Sequence, residues 1–194
     1  FSLSPEQAAV FARENEPTCI QGLMQGVVGQ FVKEDVAIDV FKTGRGRPWG
    51  EHHECCFCGT ERFFRPAYAG HLLDEWIPAM SGVEEKLKMG AKVADIGCGL
   101  GTSSMLMAEQ YPNSTIHAFD FHEPSIEEAK KRAKEKGLSN LEFFVSDAAA
   151  IPNESYDLAC IFDAWHDMGD PVGIAKSIRE TLADDGTFMV VEPM

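Results

Sequence analysis

The sequence predicts an α/β fold, in which a parallel β-sheet is covered by helices, with a helical region in front of it. Two observations predict this. From Lys92 onward, short apolar runs alternate with segments of helical periodicity, which is the pattern of strand–helix–strand crossovers. Before about residue 85, apolar residues recur only at helical spacing. We therefore predict a helical region over residues 1–85 and an α/β domain over residues 86–194.

Apolar runs of strand length, and the segments between them, define the predicted elements of the α/β domain. The predicted strands cover residues 92–96, 115–119, 141–145, 156–162 and 187–191. The predicted helices cover residues 102–110, 124–136 and 171–182. Pro124 and Pro171 suit the first turn of a helix, and Gly137 suits the position just past a helix end.

The front region begins with a helix-start signal. Ser4 is the expected N-cap, followed by proline in the first turn and by Gln7 three residues after the cap. Further helical segments are predicted over residues 20–31, 36–41 and 68–80. Between them, the segment KTGRGRPWGEHHECCFCG at residues 42–59 is predicted to be a loop, because glycine and proline break the helical pattern.

Composition disfavours several classes of protein. The net charge of −14 argues against sequence-independent nucleic-acid binding, which needs a surplus of Lys and Arg. No apolar run approaches the roughly 18 residues that span a bilayer, and no export signal is visible. Cys98 and Cys160 fall in a glycine loop and a buried strand, which is not a disulfide framework. We therefore expect a cytoplasmic protein without membrane contact.

A cluster of soft metal ligands, EHHECCFC, lies inside the predicted loop. Cys55 and Cys58 have the C-x-x-C spacing of half a zinc site, but no second pair of ligands follows them. We therefore predict no metal site. The segment is interpreted as a lid over the functional site.

A glycine loop and two acids point to a ligand. Gly97, Gly99 and Gly101 follow the first predicted strand, where they can turn sharply and let a ligand lie against the backbone. Asp95 could brace this loop or meet a cationic ligand group. Asp120 closes the second strand, where an acid accepts hydrogen bonds from ribose hydroxyls. An acid at position 95 would repel a pyrophosphate, which argues against a nicotinamide-dependent oxidoreductase.

The motifs of the α/β domain resemble, in order, those of class I S-adenosylmethionine-dependent methyltransferases. The resembling segments are VADIGCGLG, IHAFD, FFVSDAAAIP, YDLACIFDAWHDMGDP and LADDGTFMVVEP. They cover residues 92–193 with the expected spacing. The resemblance implies a Rossmann-like sheet and S-adenosylmethionine as the cofactor.

A narrower resemblance concerns the front half of the chain. LSPEQAAVFARENEP, FRPAYAGHLLDEWIPAM and DAWHDMGDP are similar to segments of a methyltransferase subgroup that has a winged-helix-like N-terminal domain. The family sheet has seven strands, whereas this chain stops at Met194, after the fifth predicted strand. We therefore expect that C-terminal strands are missing and that the sequence is part of a longer protein.

The resemblance implies a set of cofactor-binding residues. These are Asp95, Gly97, Gly99, Gly101, Asp120, Phe121, Asp147, Ala148 and Asp163. Asp147 would contact the adenine amino group beside the N–H of Ala148, and Asp163 would hold the methionyl amino group. Phe121 would either stack on the adenine or form a structural wall.

Methyl transfer from a sulfonium needs orientation, a dry pocket and, for a protonated acceptor, a base. His166 is the candidate general base, because histidine titrates near neutral pH. Its alternative roles are to cap the following helix or to hydrogen-bond Asp167. Trp165, His166 and Tyr68 are candidates for substrate binding, with core packing as the alternative for Trp165 and Tyr68.

The sequence therefore predicts an S-adenosylmethionine-dependent methyltransferase (EC 2.1.1.-) that acts on a small-molecule acceptor. The alternative is a transcriptional regulator that binds S-adenosylmethionine without turnover. A basic recognition helix would support that alternative, and the sequence shows none. Exposed apolar faces on the front-region helices would allow a homodimer.

Overall fold

The computed structural model describes residues 2–14 and 16–192. The chain divides into two units, Phe1–Gly70 and His71–Met194. The predicted boundary at residue 85 lies within the second of these units.

Helices make up the first unit. They are α1 (Pro5–Phe11), α2 (Gln21–Val32), α3 (Glu34–Thr43) and α4 (Glu54–Ala67), with a 3-10 turn at Trp49–Glu51. Ser4 caps α1 as predicted, since its Oγ accepts the N–H of Gln7 and Gln7 Oε1 accepts the N–H of Ser4. Residues 2–14 and 16–70 contain no strand, and membership of the winged-helix-like subgroup stays a prediction.

The prediction of a loop over residues 42–59 is wrong for its second half. Gly44 follows α3 with a φ of 69°, but α4 begins at Glu54 and includes the whole CCFC segment. His53 caps this helix, because its Nδ1 accepts the N–H of Cys55 at 3.2 Å. The helix-breaking residues of GRGRPWG all precede Glu54, so helix formation is free to begin there. The cysteines therefore lie on a helix and not in a loop, and the role of this segment as a lid stays a prediction.

Glycines let α2 and α4 pack with their backbones in contact. A Cβ atom built on Gly22 would lie 2.3 Å from the backbone nitrogen of Phe63. One built on Gly59 would lie 2.5 Å from the backbone nitrogen of Gly26. Cys56 is buried in the same interface, with its Sγ 3.7 Å from the carbonyl oxygen of Gly26. These contacts leave no room for a side chain at Gly22 or Gly59.

A π-helix, Tyr68–Trp76, begins in the first unit and runs into the second. The other helices of the second unit are α5 (Ile77–Ala79), α6 (Val83–Met89), α7 (Thr102–Gln110), α8 (Glu123–Glu135) and α9 (Pro171–Thr181). Its strands are β1 (Lys92–Ile96), β2 (Thr115–Asp120), β3 (Leu141–Val145), β4 (Tyr156–Phe162) and β5 (Leu182–Val191). The predicted helices and strands from residue 92 onward are confirmed, except that β5 begins at Leu182 and not at residue 187.

The five strands are all parallel, in the order β3-β2-β1-β4-β5. The strand order reverses between β1 and β4, and ligands of such sheets bind beyond the carboxyl ends of the strands at that point. β5 is irregular at its start, because Leu182 pairs with Tyr156 but the next pair is Thr187 with Leu158. This arrangement is the predicted Rossmann-like sheet. Additional C-terminal strands stay a prediction.

The core of the second unit lies between the sheet and its helices. Ile174 and Ile178 of α9 pack with Ile96 of β1 and Ile161 of β4, and none of these side chains is more than 8% exposed. Apolar strands buried in this way are typical of a parallel sheet that is covered by crossover helices. The buried strands fix the positions of the loops at their carboxyl ends.

Helix length bears on membrane contact. Within residues 2–14 and 16–192, no helix combines the length and apolarity of a membrane span.

Candidate functional site

The glycine loop lies at the carboxyl end of β1, beside the point where the strand order reverses. Gly97, Gly99 and Gly101 have φ angles of 74°, 53° and 77°, in the left-handed region that glycine adopts without strain. The N–H groups of Gly97 and Cys98 donate to the carbonyl oxygen of Phe119 at 2.8 and 3.1 Å. The loop is therefore held against the end of β2.

Asp120 joins this loop to the segment after β2. Its Oδ2 accepts the N–H of Gly99 at 2.8 Å, and its Oδ1 accepts the N–H of His122 at 2.8 Å. The residue is 9% exposed. Because a carboxylate oxygen can accept two hydrogen bonds, each oxygen keeps acceptor capacity for a ligand hydroxyl.

Asp95 lies in β1, two residues before the first glycine of the loop, and is fully buried. Its Oδ2 accepts the hydroxyls of Ser103 and Ser104 at 2.7 and 2.5 Å, which ties the start of α7 to β1. Among the residues that the structure describes, none hydrogen-bonds its Oδ1. Burial raises the pKa of Asp95 to about 6, against the lowering effect of the two serine hydroxyls. Asp95 thus braces the helix that follows the glycine loop and not the loop itself, and its contact with a cofactor stays a prediction.

The predicted adenine-binding residues follow β2 and β3. Phe121 is 58% exposed directly after Asp120. Asp147 is exposed and caps a 3-10 turn, since its Oδ1 accepts the N–H of Ala149 at 2.8 Å. Ala148 starts that turn and packs partly against the core. Their roles toward adenine stay predictions.

The loop after β4 begins with Asp163, which has a φ of 52°. Positive φ is uncommon outside glycine, and strained residues of this kind often occur at functional sites. The N–H of Asp163 donates to the carbonyl oxygen of Val191 at 2.8 Å, so β5 holds the residue in place. Burial raises the pKa of Asp163 to about 6, and the charges of Glu192 and Asp167 add to this. The charge of His166 acts in the opposite direction and lowers the pKa of Asp163.

His166 does not hydrogen-bond Asp167, which was one of the alternatives to its role as a base, and that role stays a prediction. Its Nδ1 lies 2.5 Å from Oε2 of Glu192, whereas its Nε2 is 3.8 Å from Oδ2 of Asp167. The hydrogen bond with Glu192 is the main cause that raises the pKa of His166. Burial raises the pKa of Glu192, but its hydrogen bonds with His166 and two backbone N–H groups outweigh that effect and leave the pKa lowered.

Glu192 is the residue that the sequence prediction missed. It follows β5 directly, at the carboxyl edge of the sheet, just as Asp120 closes β2. The same rule that selected Asp120, an acid at the end of an apolar strand, would have selected it. Ligand atoms of Asp163, His166 and Glu192 all lie within 4.8 Å of one another.

The two aromatic candidates for substrate binding, Trp165 and Tyr68, have different neighbours. Trp165 packs on Phe188 of β5 with ring centroids 5.2 Å apart and contributes to the core. Tyr68 lies in the first unit, where its ring stacks on Phe64 at 6.2 Å. Both rings therefore have packing roles, and substrate binding by either residue stays a prediction.

The glycine loop offers space for a nucleoside-bearing group. A Cβ atom built on Gly99 would have no heavy atom within 4 Å, so this face of the loop is open. The open face lies next to the Asp120 carboxylate, because the N–H of Gly99 donates to it. A ribose-bearing ligand fits this open face and its carboxylate acceptor.

Residues 87–194 match a family described as "Methyltransferase domain". The chain belongs to this methyltransferase family. The match covers the whole sheet and every candidate site residue except Tyr68, which lies in the first unit.

Individual relatives agree with this assignment to the methyltransferase family. The chain is 33% identical over 105 residues to a ubiquinone biosynthesis O-methyltransferase of Actinobacillus pleuropneumoniae, covering 51% of this chain and 44% of that protein. It is 28% identical over 162 residues to the sterol 24-C-methyltransferase erg6 of Aspergillus fumigatus, covering 81% of this chain and 40% of that protein. The chain thus spans less than half the length of either relative.

A solved structure bears on the cofactor of this methyltransferase family. PKMT2 from Rickettsia typhi, in complex with AdoHcy, is 26% identical, with a TM-score of 0.50 over 54% of this chain and 21% of that one. AdoHcy is the product that S-adenosylmethionine leaves after methyl transfer. The comparison confirms S-adenosylmethionine as the cofactor of the family to which the chain belongs.

Proposed function

We propose that this chain carries the methyl-transfer site of an S-adenosylmethionine-dependent methyltransferase that acts on a small-molecule acceptor. One observation carries the proposal: the Asp120 carboxylate, next to the open glycine loop, keeps acceptor capacity for ribose hydroxyls. When bound, the cofactor supplies an electrophilic methyl group on a sulfonium. The protein supplies orientation, exclusion of water and a base.

Each side of the proposed site has a separate task. Asp120 and the glycine loop would bind the nucleoside, with Phe121, Asp147 and Ala148 at the adenine. Asp163, beside the carboxyl end of β4, would hold the amino-acid part through its carboxylate. The acceptor would then approach the loop after β4, where His166 is exposed.

Small molecules are the favoured acceptors. Two of the relatives carry names that refer to ubiquinone and to sterols, and both are small-molecule methyltransferases by name. The net charge of −14 agrees with such acceptors and opposes polyanionic ones. By name, one of these relatives methylates oxygen and the other carbon, so their names do not select the acceptor atom.

Isothermal titration with S-adenosylhomocysteine tests the cofactor assignment. We expect wild-type protein to bind it and Asp120→Ala to lose most of that affinity, because both ribose hydroxyls lose their acceptor. Asp184→Ala, which removes an exposed carboxylate of the same unit, is the matched control and should bind like the wild type. Circular dichroism checks that each variant is folded.

Two results would contradict this proposal. If the folded wild-type chain shows no binding, the cofactor assignment for this chain is wrong. If Asp120→Ala keeps wild-type affinity, the cofactor binds elsewhere and the ribose assignment is wrong.

A further inference from the structure

We propose that Glu192 is a positioning residue that orients His166 as a general base toward an acceptor with a weakly acidic hydroxyl, of the phenol or enol class. The inference rests on the proposed methyltransferase function and adds to it a residue and a substrate class. In the proposed step, the O–CH3 bond forms as the C–S bond breaks. The electron pair of the C–S bond stays on sulfur, and the acceptor proton passes to Nε2 of His166.

The two oxygens of Glu192 have separate partners, which fixes the orientation of the carboxylate. Oε1 accepts the backbone N–H groups of Ala164 and Trp165 at 3.0 and 2.7 Å. Oε2 lies 2.5 Å from Nδ1 of His166. Because Oε1 is held by the same loop that carries His166, Glu192 cannot rotate away without losing two backbone hydrogen bonds. The imidazole is therefore aligned by a fixed acceptor.

The contact also selects the tautomer of His166. An ionised Glu192 can only accept, so Nδ1 carries the proton and Nε2 of the neutral ring keeps its lone pair. Nε2 lies 3.8 Å from Oδ2 of Asp167, beyond hydrogen-bond distance. The side chain of His166 is 49% exposed, so its basic nitrogen is open to an acceptor.

The charges around His166 explain why a hydroxyl suits this base. Glu192, Asp167 and Asp163 all favour its protonated form, with the hydrogen bond to Glu192 as the largest cause of its raised pKa. A more basic imidazole is a stronger proton acceptor, provided that the pH lies above its pKa. Phenols and enols hold their proton at neutral pH, with pKa values of about 10 for phenols such as tyrosine. They therefore need such a base.

A divalent cation is the competing occupant of this cluster, since one carboxylate or imidazole atom from each of Asp163, His166 and Glu192 lies within 4.8 Å of the others. The direct contact between Nδ1 and Oε2 favours the pair over a cation, because the imidazole and the carboxylate satisfy each other without an ion. The cation is therefore an outcome of the test and not part of the proposal.

Nitrogen-15 NMR of the imidazole tests the positioning role without any acceptor. In the wild type, we expect His166 to show the Nδ1–H tautomer and a pKa above the ordinary value for histidine. Glu192→Gln should lower that pKa and weaken the tautomer preference, while Glu192→Asp should restore part of both. Glu180→Gln, an exposed glutamate on α9, is the control and should change neither.

Methyl transfer from radiolabelled S-adenosylmethionine to catechol and 4-methylphenol tests the substrate class, with an aliphatic amine as comparison. His166→Asn should lower kcat by roughly 100-fold or more, and Glu192→Gln by roughly tenfold. The acidic limb of the pH profile should move to lower pH in Glu192→Gln. S-adenosylhomocysteine should still bind to both variants.

The results separate the two proposals. Loss of S-adenosylhomocysteine binding in the wild type would overturn the proposed function itself. If binding persists but Glu192→Gln leaves the tautomer and pKa of His166 unchanged, the positioning role is wrong. If EDTA abolishes the activity and Mg²⁺ restores it, the cluster of Asp163, His166 and Glu192 binds a metal. That result would overturn the direct pairing of Glu192 with His166. Transfer to the amine and not to the phenols would overturn the substrate class.

Discussion

Asp95 shows how one buried acid links the site to stability. Its carboxyl is fully buried, and burial raises its pKa from an ordinary 3.8 to about 6. The folded state therefore binds more protons than the unfolded state between these two values. Stability falls as the pH rises through this window, because folding then requires a charged group to be buried. The two serine hydroxyls lower this cost without removing it.

Asp95→Asn should flatten the pH dependence of stability. In the wild type, the shift of Asp95 alone should lower the free energy of unfolding by about 2 kcal/mol between pH 4 and pH 7. The asparagine does not ionise, so this contribution should disappear. Urea unfolding at several pH values between 4 and 7 measures it. Asp184→Asn is the control, and an equally steep loss in Asp95→Asn would refute the account.

Gly101 tests whether the site loop needs glycine for its backbone or for space. Gly101 and Gly137 have similar φ angles, 77° and 70°, but a Cβ atom at Gly101 would lie 2.6 Å from the ring of the buried Phe143. Nothing lies within 4 Å of a Cβ atom at Gly137. Gly137→Ala should therefore cost about 1 kcal/mol of unfolding free energy, the left-handed penalty alone.

Gly101→Ala should cost about 1–3 kcal/mol more than Gly137→Ala, because the methyl group also displaces Phe143. Thermal and urea unfolding of both variants compare the two costs. Equal losses in the two variants would mean that space at Gly101 does not matter.

At the scale of elements, the packing of α2 on α4 is set by glycines. A Cβ atom at Gly22 would lie 2.3 Å from the backbone of Phe63, whereas one at Gly26 would have no neighbour within 4 Å. Gly22→Ala should lower the free energy of unfolding by about 1–3 kcal/mol, since a backbone atom cannot move aside without separating the helices.

Gly26→Ala is the matched control on the same helix. It should leave stability unchanged or raise it by up to about 1 kcal/mol, because alanine favours the helix and meets no neighbour. Circular dichroism during urea unfolding measures both variants. A comparable loss in both would show that helix propensity, and not the close approach, governs this interface.

The elements also show where local patterns were sufficient. α7 and β1 were predicted from periodicity and glycine spacing, because each is determined by residues that are close in sequence. α4 was missed because glycine and proline dominate the segment before it. Its start depends on the cap at His53 and its burial depends on α2, which is distant along the chain.

For the whole molecule, net charge gives a prediction that separates the proposed methyltransferase from the alternative, a transcriptional regulator that binds DNA. With a net charge of −14, the chain should not bind mixed-sequence duplex DNA at physiological salt. Fluorescence polarisation with a labelled duplex, at low and physiological salt, measures this. Tight binding that weakens steeply with salt would favour the DNA-binding regulator.

The sequence by itself determined the parallel sheet, the glycine loop and the acid that closes β2. Each is encoded by short-range periodicity or by residue types at fixed spacing, so neighbouring residues suffice to specify it. Only the tertiary structure decided what meets at the end of β4. Glu192 contacts His166 across 26 residues because β5 pairs with β4 and brings their carboxyl ends together. The partners of His166 therefore depend on strand order, which no local pattern in the sequence specifies.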